Sequence, residues 1–151
     1  MQIIHAIILH KDSKIASGEN NDCTVTALAS SFEVPYDEAH QLAKELYNRP
    51  PRKGPTASSV INAMVKLHTN GTKINGKTVD KIYVTPTKEY KCKGRTVLRK
   101  TRVKSFIKDN PKGTFFILGS RHAMTIQDGV MIDNYRKGSG GMIIRRAYLI
   151  K

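Results

Sequence analysis

The sequence predicts an α+β fold in which helices come first and an antiparallel sheet follows. Apolar residues recur at helical spacing between residues 23 and 68, and short β-like runs separated by glycine turns follow residue 80. A chain of 151 residues has the length of one domain with its own core. We therefore expect a single domain over residues 1–151, with a helical half at about 20–70 and a sheet half at about 80–151.

Three helices are expected in the first half. The first begins at Cys23 and continues through small apolar residues to Phe32. The second follows Pro35 and has acidic residues in its first turn, where the helix dipole favours negative charge. Thr56 is suited to cap a third helix that runs to about His68.

The second half reads as short strands. A strand is expected at 81–85 and a short helix at 103–109, whereas residues 88–102 fit no single element. The apolar residues 1–9 also predict a buried strand. The last four β-like runs are expected to form an antiparallel meander: 114–118, 123–127, 130–134 and 143–150.

The net charge of +14 is unevenly distributed along the chain. Residues 1–48 hold three Lys against seven acidic residues, and residues 49–151 hold 23 Lys or Arg against five. Residues 73–108 alone hold 12 basic residues and two acidic ones, which favours nucleic acid or another acidic partner, although lysines also solvate exposed sheet edges. The partner-binding candidates are Lys91, Lys93, Arg95, Arg99 and Lys100.

Two features argue against a standard nucleic-acid module. The basic segment 73–108 has Tyr83, Tyr90 and Phe106 as its aromatic residues, so it lacks the regular aromatic interleaving on which bases stack. It also has no helix-turn-helix or zinc-finger spacing.

The two cysteines, Cys23 and Cys92, do not form a disulfide framework, which predicts a reducing compartment such as the cytoplasm. No Cys/His spacing resembles a zinc site, so neither a metal nor a cofactor is expected. Residues 3–9 are too few to span a membrane and lack the flanks of a signal peptide, so no membrane span is expected.

Cys23 carries the strongest chemical signal. The sequence of residues 20–24, Asn-Asn-Asp-Cys-Thr, places its thiol where a polar loop becomes a helix. The positive end of a helix dipole favours the thiolate form of a cysteine. A free cysteine also commonly packs in a core, so a chemical role requires a base brought close by the fold.

A histidine and an acid in the predicted sheet supply the partners. The pattern places His122 on a strand, and Asp128-Gly129 is a two-residue hairpin turn signal. The resulting register puts Asp133 diagonally across from His122 on the same face, within reach of its side chain. A bulged turn would select Asn134 instead. Asp133 is therefore the expected partner of His122, with Asn134 as the alternative.

These residue types suit nucleophilic catalysis. The Cys23 thiolate attacks a carbonyl, His122 keeps the thiol ionised and protonates the leaving group, and Asp133 orients the ring. The oxyanion requires donors, of which the backbone N–H of Cys23 is one. A side-chain amide from Asn20 or Asn21 is the second candidate, although both residues also serve as ordinary helix caps.

Four stretches resemble papain-like cysteine peptidases, in the compact form found among phage-encoded and bacteriocin-leader-processing thiol proteases. The resemblance rests on residues 20–29, 36–40, 113–119 and 122–134. It implies a helical half carrying the cysteine, a sheet half carrying His and Asp or Asn, and a cleft between them. It also implies a protein or peptide substrate, hydrolysis of peptide or isopeptide bonds, and a viral source, with the host cytoplasm or the virion as the place of action.

Two other functions fit the same residues. A basic nucleic-acid-binding protein would use residues 73–108 and keep a papain-like fold without catalysis. An acyltransferase would use the same Cys-His-Asp triad with an acceptor other than water. Selective labelling of Cys23 over Cys92 by a thiol-directed electrophile would favour the hydrolase or the acyltransferase over the nucleic-acid-binding protein.

Overall fold

The computed structural model of the chain describes residues 3–5, 22–48, 54–133 and 140–151. These residues form an α+β structure, as the sequence predicts. None of the helices in these ranges is long and apolar enough to cross a membrane. The helices are α1 (Cys23–Phe32), α2 (Tyr36–Tyr47), α3 (Ala57–Asn70) and α4 (Val103–Asp109). The strands are β1 (Ile3–His5), β2 (Val79–Val84), β3 (Thr87–Cys92), β4 (Arg95–Lys100), β5 (Thr114–Leu118), β6 (Ala123–Gln127), β7 (Val130–Asp133) and β8 (Arg146–Ile150).

The helix ends follow local chemistry. The Thr56 side chain caps α3 by accepting a hydrogen bond from the Ser59 backbone N–H at 3.2 Å. Gly71 ends the same helix with a left-handed backbone at φ 60°, a conformation that glycine adopts without a steric penalty. The bounds of α1 and α4 are those the sequence predicts, and α3 extends two residues past His68.

The main sheet has the strand order β1-β7-β6-β5-β8-β2 within the described residues. The expected four-strand meander is therefore wrong in its last step, because β8 pairs with β5 rather than with β7. The sheet is also not wholly antiparallel or C-terminal, since β1 pairs with β7 in parallel. β8 begins at Arg146 rather than at Ile143, whose backbone instead forms an isolated bridge to Arg102.

The β6–β7 hairpin has the register that its turn residues predict. Asp128 and Gly129 have φ values of 47° and 79°, which matches a two-residue turn with two left-handed positions. Ile126 lies opposite Met131, and the strand then continues to Asp133. Because side chains alternate along a strand, this register places Asp133 on the face of the sheet that the sequence predicts for His122.

Residues 88–102, which fit no element from sequence, contain a separate two-stranded hairpin. Strands β3 and β4 pair over six residues, from Thr87 with Lys100 to Cys92 with Arg95. Nearly all of their side chains are exposed, so no hydrophobic face marks them as strands. We call residues 87–100 the basic ribbon.

The main sheet has apolar groups on both faces. One face packs on α1, α2 and α3, where Phe32, Phe116 and Tyr148 are fully buried. The other face packs on α4, where the Phe106 ring meets the Phe115 ring edge-on at 5.0 Å between centroids. The helical half is thus held on the sheet by a continuous core, and α4 belongs to the sheet half.

One buried hydrogen bond joins α1 directly to β6. The Thr125 hydroxyl, with no exposed surface, donates to the Ala27 carbonyl oxygen at 2.9 Å. Cys23 is the first residue of α1, and His122 directly precedes β6. The position of α1 relative to β6 therefore sets the distance between these two residues.

Replacing Thr125 with valine should lower the free energy of unfolding by about 1 kcal/mol, because the shape is kept and the hydrogen bond is lost. Urea unfolding of wild type and Thr125→Val would measure it. Thr96→Val in the exposed basic ribbon is the matched control, and it should change stability by less than about 0.5 kcal/mol. Equal effects of the two substitutions would contradict a specific role for the Thr125 bond.

Candidate functional site

Cys23 is the first residue of α1 and is partly exposed. The Asp22 carbonyl accepts the first hydrogen bond of the helix, from the Thr26 N–H at 2.9 Å. The N–H groups of Cys23, Thr24 and Val25 therefore have no acceptor inside the helix. They lie at the positive end of the helix, where an anion is stabilised.

The start of α1 is braced by α2. The Tyr36 hydroxyl donates to the Asp22 carboxylate at 2.7 Å, and Tyr36 is itself buried. Asp22 does not cap α1 with its side chain, so this contact to α2 replaces the usual N-cap bond. The contact spans 14 residues, and the sequence contained no signal for it.

His122 lies one residue before β6, so the prediction that it sits on a strand is wrong by one position. The cause is a tight turn through Ser120 and Arg121. The Gly119 N–H donates to the His122 carbonyl oxygen at 2.8 Å and closes this turn. The imidazole is thereby held at the end of the sheet, next to the start of α1.

Asp133 is the residue that contacts this ring. Its Oδ1 lies 2.6 Å from His122 Nε2, and its side chain has no exposed surface. It ends β7, an interior strand between β1 and β6. The structure therefore shows the pairing of His122 with Asp133 that the hairpin register predicts, while the alternative, Asn134, lies outside the described residues.

His122 and Cys23 lie beside each other in the wall of one cleft, close enough for the two side chains to interact electrostatically. Because Nε2 of the ring faces Asp133, Nδ1 is the nitrogen available to the thiol. Burial lowers the pKa of His122, but the hydrogen bonds and charges of Asp133 and Cys23 outweigh burial and raise that pKa to about 9. These contacts thus favour the protonated form of the His122 imidazole.

Two of the three residues, Cys23 and His122, border a cleft of about 210 Å³. Cys23 and His122 form part of its wall, with Thr24 and Arg121 beside them. The Thr24 hydroxyl is buried and has no hydrogen-bond partner among the described residues. The remaining wall is mostly small or apolar: Gly54, Pro55, Ala57, Val60, Leu118, Gly119 and Ser120.

Several lining residues were not predicted from sequence. Arg121 is exposed and adds a positive charge at the cleft, yet one arginine among many basic residues carries no local signal. Gly119 has a close neighbour, since a Cβ built there would lie 2.5 Å from the Met142 sulfur. The expected oxyanion residues Asn20 and Asn21 lie outside the described residues.

The five expected partner-binding residues lie elsewhere. Four are on β3 or β4 and one is in the turn between them, and all five are exposed. None of them lines the cleft beside Cys23. They are Lys91, Lys93, Arg95, Arg99 and Lys100.

No protein-family model matches this chain, and no curated protein or solved structure matches it at a significant level.

The raised pKa of His122 predicts a pH-dependent stability. Below pH 6.5 the folded and unfolded states are both protonated and the contribution is fully present. As the pH rises toward about 9, the unfolded chain releases this proton first, so the free energy of unfolding falls by on the order of 2 kcal/mol. Urea unfolding at intervals from about pH 6 to pH 9.5 under reducing conditions would detect the decline.

His122→Gln is the control for this measurement. The glutamine amide does not titrate, so the stability of this variant should lack the decline over the same range, although it starts lower. Parallel pH profiles in the two proteins would show that His122 is not protonated in the folded state.

Proposed function

We propose that this protein is a papain-like cysteine hydrolase that cleaves peptide or isopeptide bonds through Cys23, His122 and Asp133. One observation carries the proposal. A cysteine at a helix N-terminus lies in the same cleft wall as a histidine, and one ring nitrogen of that histidine is 2.6 Å from a fully buried carboxylate. A cleft open to substrate borders the first two residues. A nucleophile, a base and a group that orients the base are the requirements of nucleophilic acyl transfer.

The first half of the reaction forms an acyl-enzyme. The Cys23 thiolate attacks the carbonyl carbon, and a C–S bond forms while the carbonyl electron pair moves onto oxygen. The N–H groups at the start of α1 that have no acceptor inside the helix stabilise that oxyanion, with the Cys23 N–H nearest to it. As the intermediate collapses, the C–N bond breaks and His122 gives its proton to the departing amine.

The second half of the reaction releases the acid. A water molecule attacks the thioester, and the now neutral His122 takes its proton. The C–S bond breaks, which restores the thiolate and the imidazolium. Asp133 holds the ring in place throughout and stabilises its positive charge.

The cleft indicates which substrates fit best. Its apolar wall suits small or aliphatic side chains next to the cleaved bond. Arg121 is positioned to attract a carboxylate on the substrate. An acidic residue or a chain terminus near the cleaved bond should therefore favour binding.

Alkylation tests the nucleophile without a known substrate. Iodoacetamide at pH 7 should modify Cys23 at least about tenfold faster than Cys92, because the thiolate is the reactive form and His122 stabilises it. Peptide mapping at timed intervals gives both rates from one sample, with the exposed Cys92 as the internal reference.

His122→Ala should remove this difference while the protein stays folded. Cys92→Ser should leave the rate at Cys23 unchanged, since Cys92 does not line the cleft that Cys23 borders. Equal rates at the two thiols in wild type would overturn the proposal.

Turnover of a fluorogenic peptide library should separate the three roles. Cys23→Ala and His122→Ala should lose about 10³-fold or more in kcat/KM, because each removes a reacting group. Asp133→Asn should lose less, since an amide oxygen can still accept from the protonated ring. Its activity should also decline at lower pH than that of wild type, because the carboxylate helps to raise the pKa of His122.

Two outcomes of this assay would change the conclusion. Full activity in folded Cys23→Ala would exclude a cysteine hydrolase. Transfer of the acyl group to an added amine in preference to water would identify an acyltransferase that uses the same residues.

A further inference from the structure

Most of the charge on the basic ribbon has no structural role within the described residues. Within residues 87–102 the sequence contains seven Lys or Arg and one acid, Glu89. Of these basic residues, Lys88 forms an ion pair with Asp109 at 3.0 Å, which ties the base of the ribbon to α4. The remaining charges repel one another on a two-stranded element that buries almost no side chains.

The pairing register sorts the side chains of the ribbon onto two faces. Tyr90 lies opposite Val97, and Lys88 lies opposite Arg99. Because side chains alternate along each strand, Tyr90, Arg95 and Arg99 share one face. The Arg99 guanidinium lies over the Tyr90 ring, 5.8 Å from its centroid.

A cavity of about 430 Å³ lies where this face meets the body of the protein. Three cationic side chains line it, together with a partly exposed aromatic ring, a hydroxyl and an aliphatic group. These are Arg99, Lys100, Arg102, Tyr90, Ser105 and Ile143. The cavity shares no residue with the cleft beside Cys23.

We propose that the Tyr90 face of the basic ribbon, with this cavity at its base, binds single-stranded nucleic acid. The aromatic ring and Ile143 offer a base an apolar surface, and the Arg99 plane adds a second stacking surface. Arg99 on this face, with Lys100 and Arg102 at the cavity, supplies charges that suit phosphate.

The ligand is a polymer strand rather than a single nucleotide. Positive charge continues from the cavity to the tip of the ribbon through Arg95 and Lys93. Six residues of strand extend about 17–20 Å, which is longer than one nucleotide. An acidic protein would use the cations but not the exposed ring, and a duplex hides the base faces on which stacking depends.

Stacking is limited to one position on this surface. The other aromatic residues of the basic segment, Tyr83 and Phe106, are not available for stacking. Phe106 is buried, and Tyr83 is partly buried with its ring packed edge-on against Phe106 and Phe115. Tyr90 is therefore the residue on which preference for a single strand depends.

Fluorescence anisotropy with labelled oligothymidine, oligouridine and a duplex of equal length tests the proposal. Arg99→Gln/Lys100→Gln should bind the single strands at least about tenfold more weakly at low salt. Its salt dependence should be flatter by roughly one unit in log Kd against log salt, since about 0.7 is lost for each phosphate contact. The matched control is Lys44→Gln/Lys66→Gln, which removes the same charge from exposed sites on α2 and α3 and should bind within twofold of wild type.

Tyr90→Leu separates stacking from charge. It should weaken single-strand binding by about fivefold or more and leave the salt dependence unchanged. Duplex binding should not change. The alkylation rate of Cys23 should be the same in all of these variants, so this proposal stands or fails independently of the proposed hydrolase.

Four results would overturn the proposal. They are no binding by wild type at low salt, equal losses in the two charge-matched variants, tighter binding of the duplex with no effect of Tyr90→Leu, and competition by polyglutamate as effective as that by oligothymidine.

Discussion

The contact between His122 and Asp133 constrains the rest of the candidate site. A carboxylate with no exposed surface destabilises a fold unless a cation or several donors compensate it. The imidazole of His122 meets that need at 2.6 Å and is in turn held in one orientation. The other ring nitrogen of His122 is then available to the cysteine. The buried Asp133 carboxylate thus both orients the imidazole and favours its protonated form.

Asp133 is buried because of the sheet topology around it. It ends an interior strand, with β6 on one side and the parallel strand β1 on the other. Helix α1 packs on the same sheet through the shared core, and the Thr125 hydroxyl on β6 is hydrogen-bonded to the Ala27 carbonyl of α1. Cys23 and His122 therefore meet where the first helix and the end of the sheet come together, and neither half of the chain forms the site alone.

Local chemistry made part of this arrangement predictable. The Asp128-Gly129 turn determines a register, and that register selects Asp133 over its neighbour. The bounds of α1 follow from its apolar pattern and from the polar loop before it. Strand order was not predictable in the same way, because the pairings of β8 with β5 and of β1 with β7 depend on contacts between distant segments. The bond from Tyr36 to Asp22 is equally non-local.

The basic ribbon escaped prediction for a different physical reason. Strands are recognised by a buried face, and both faces of this hairpin are exposed. An isolated hairpin is marginally stable in water, so its attachment at Lys88 and the backbone bond from Thr101 to Pro86 at 2.8 Å must help to hold it. Repulsion among its cations opposes that stability. Apart from Lys88, these cations add nothing to the stability of the core or the ribbon, and the proposed negatively charged ligand would account for them.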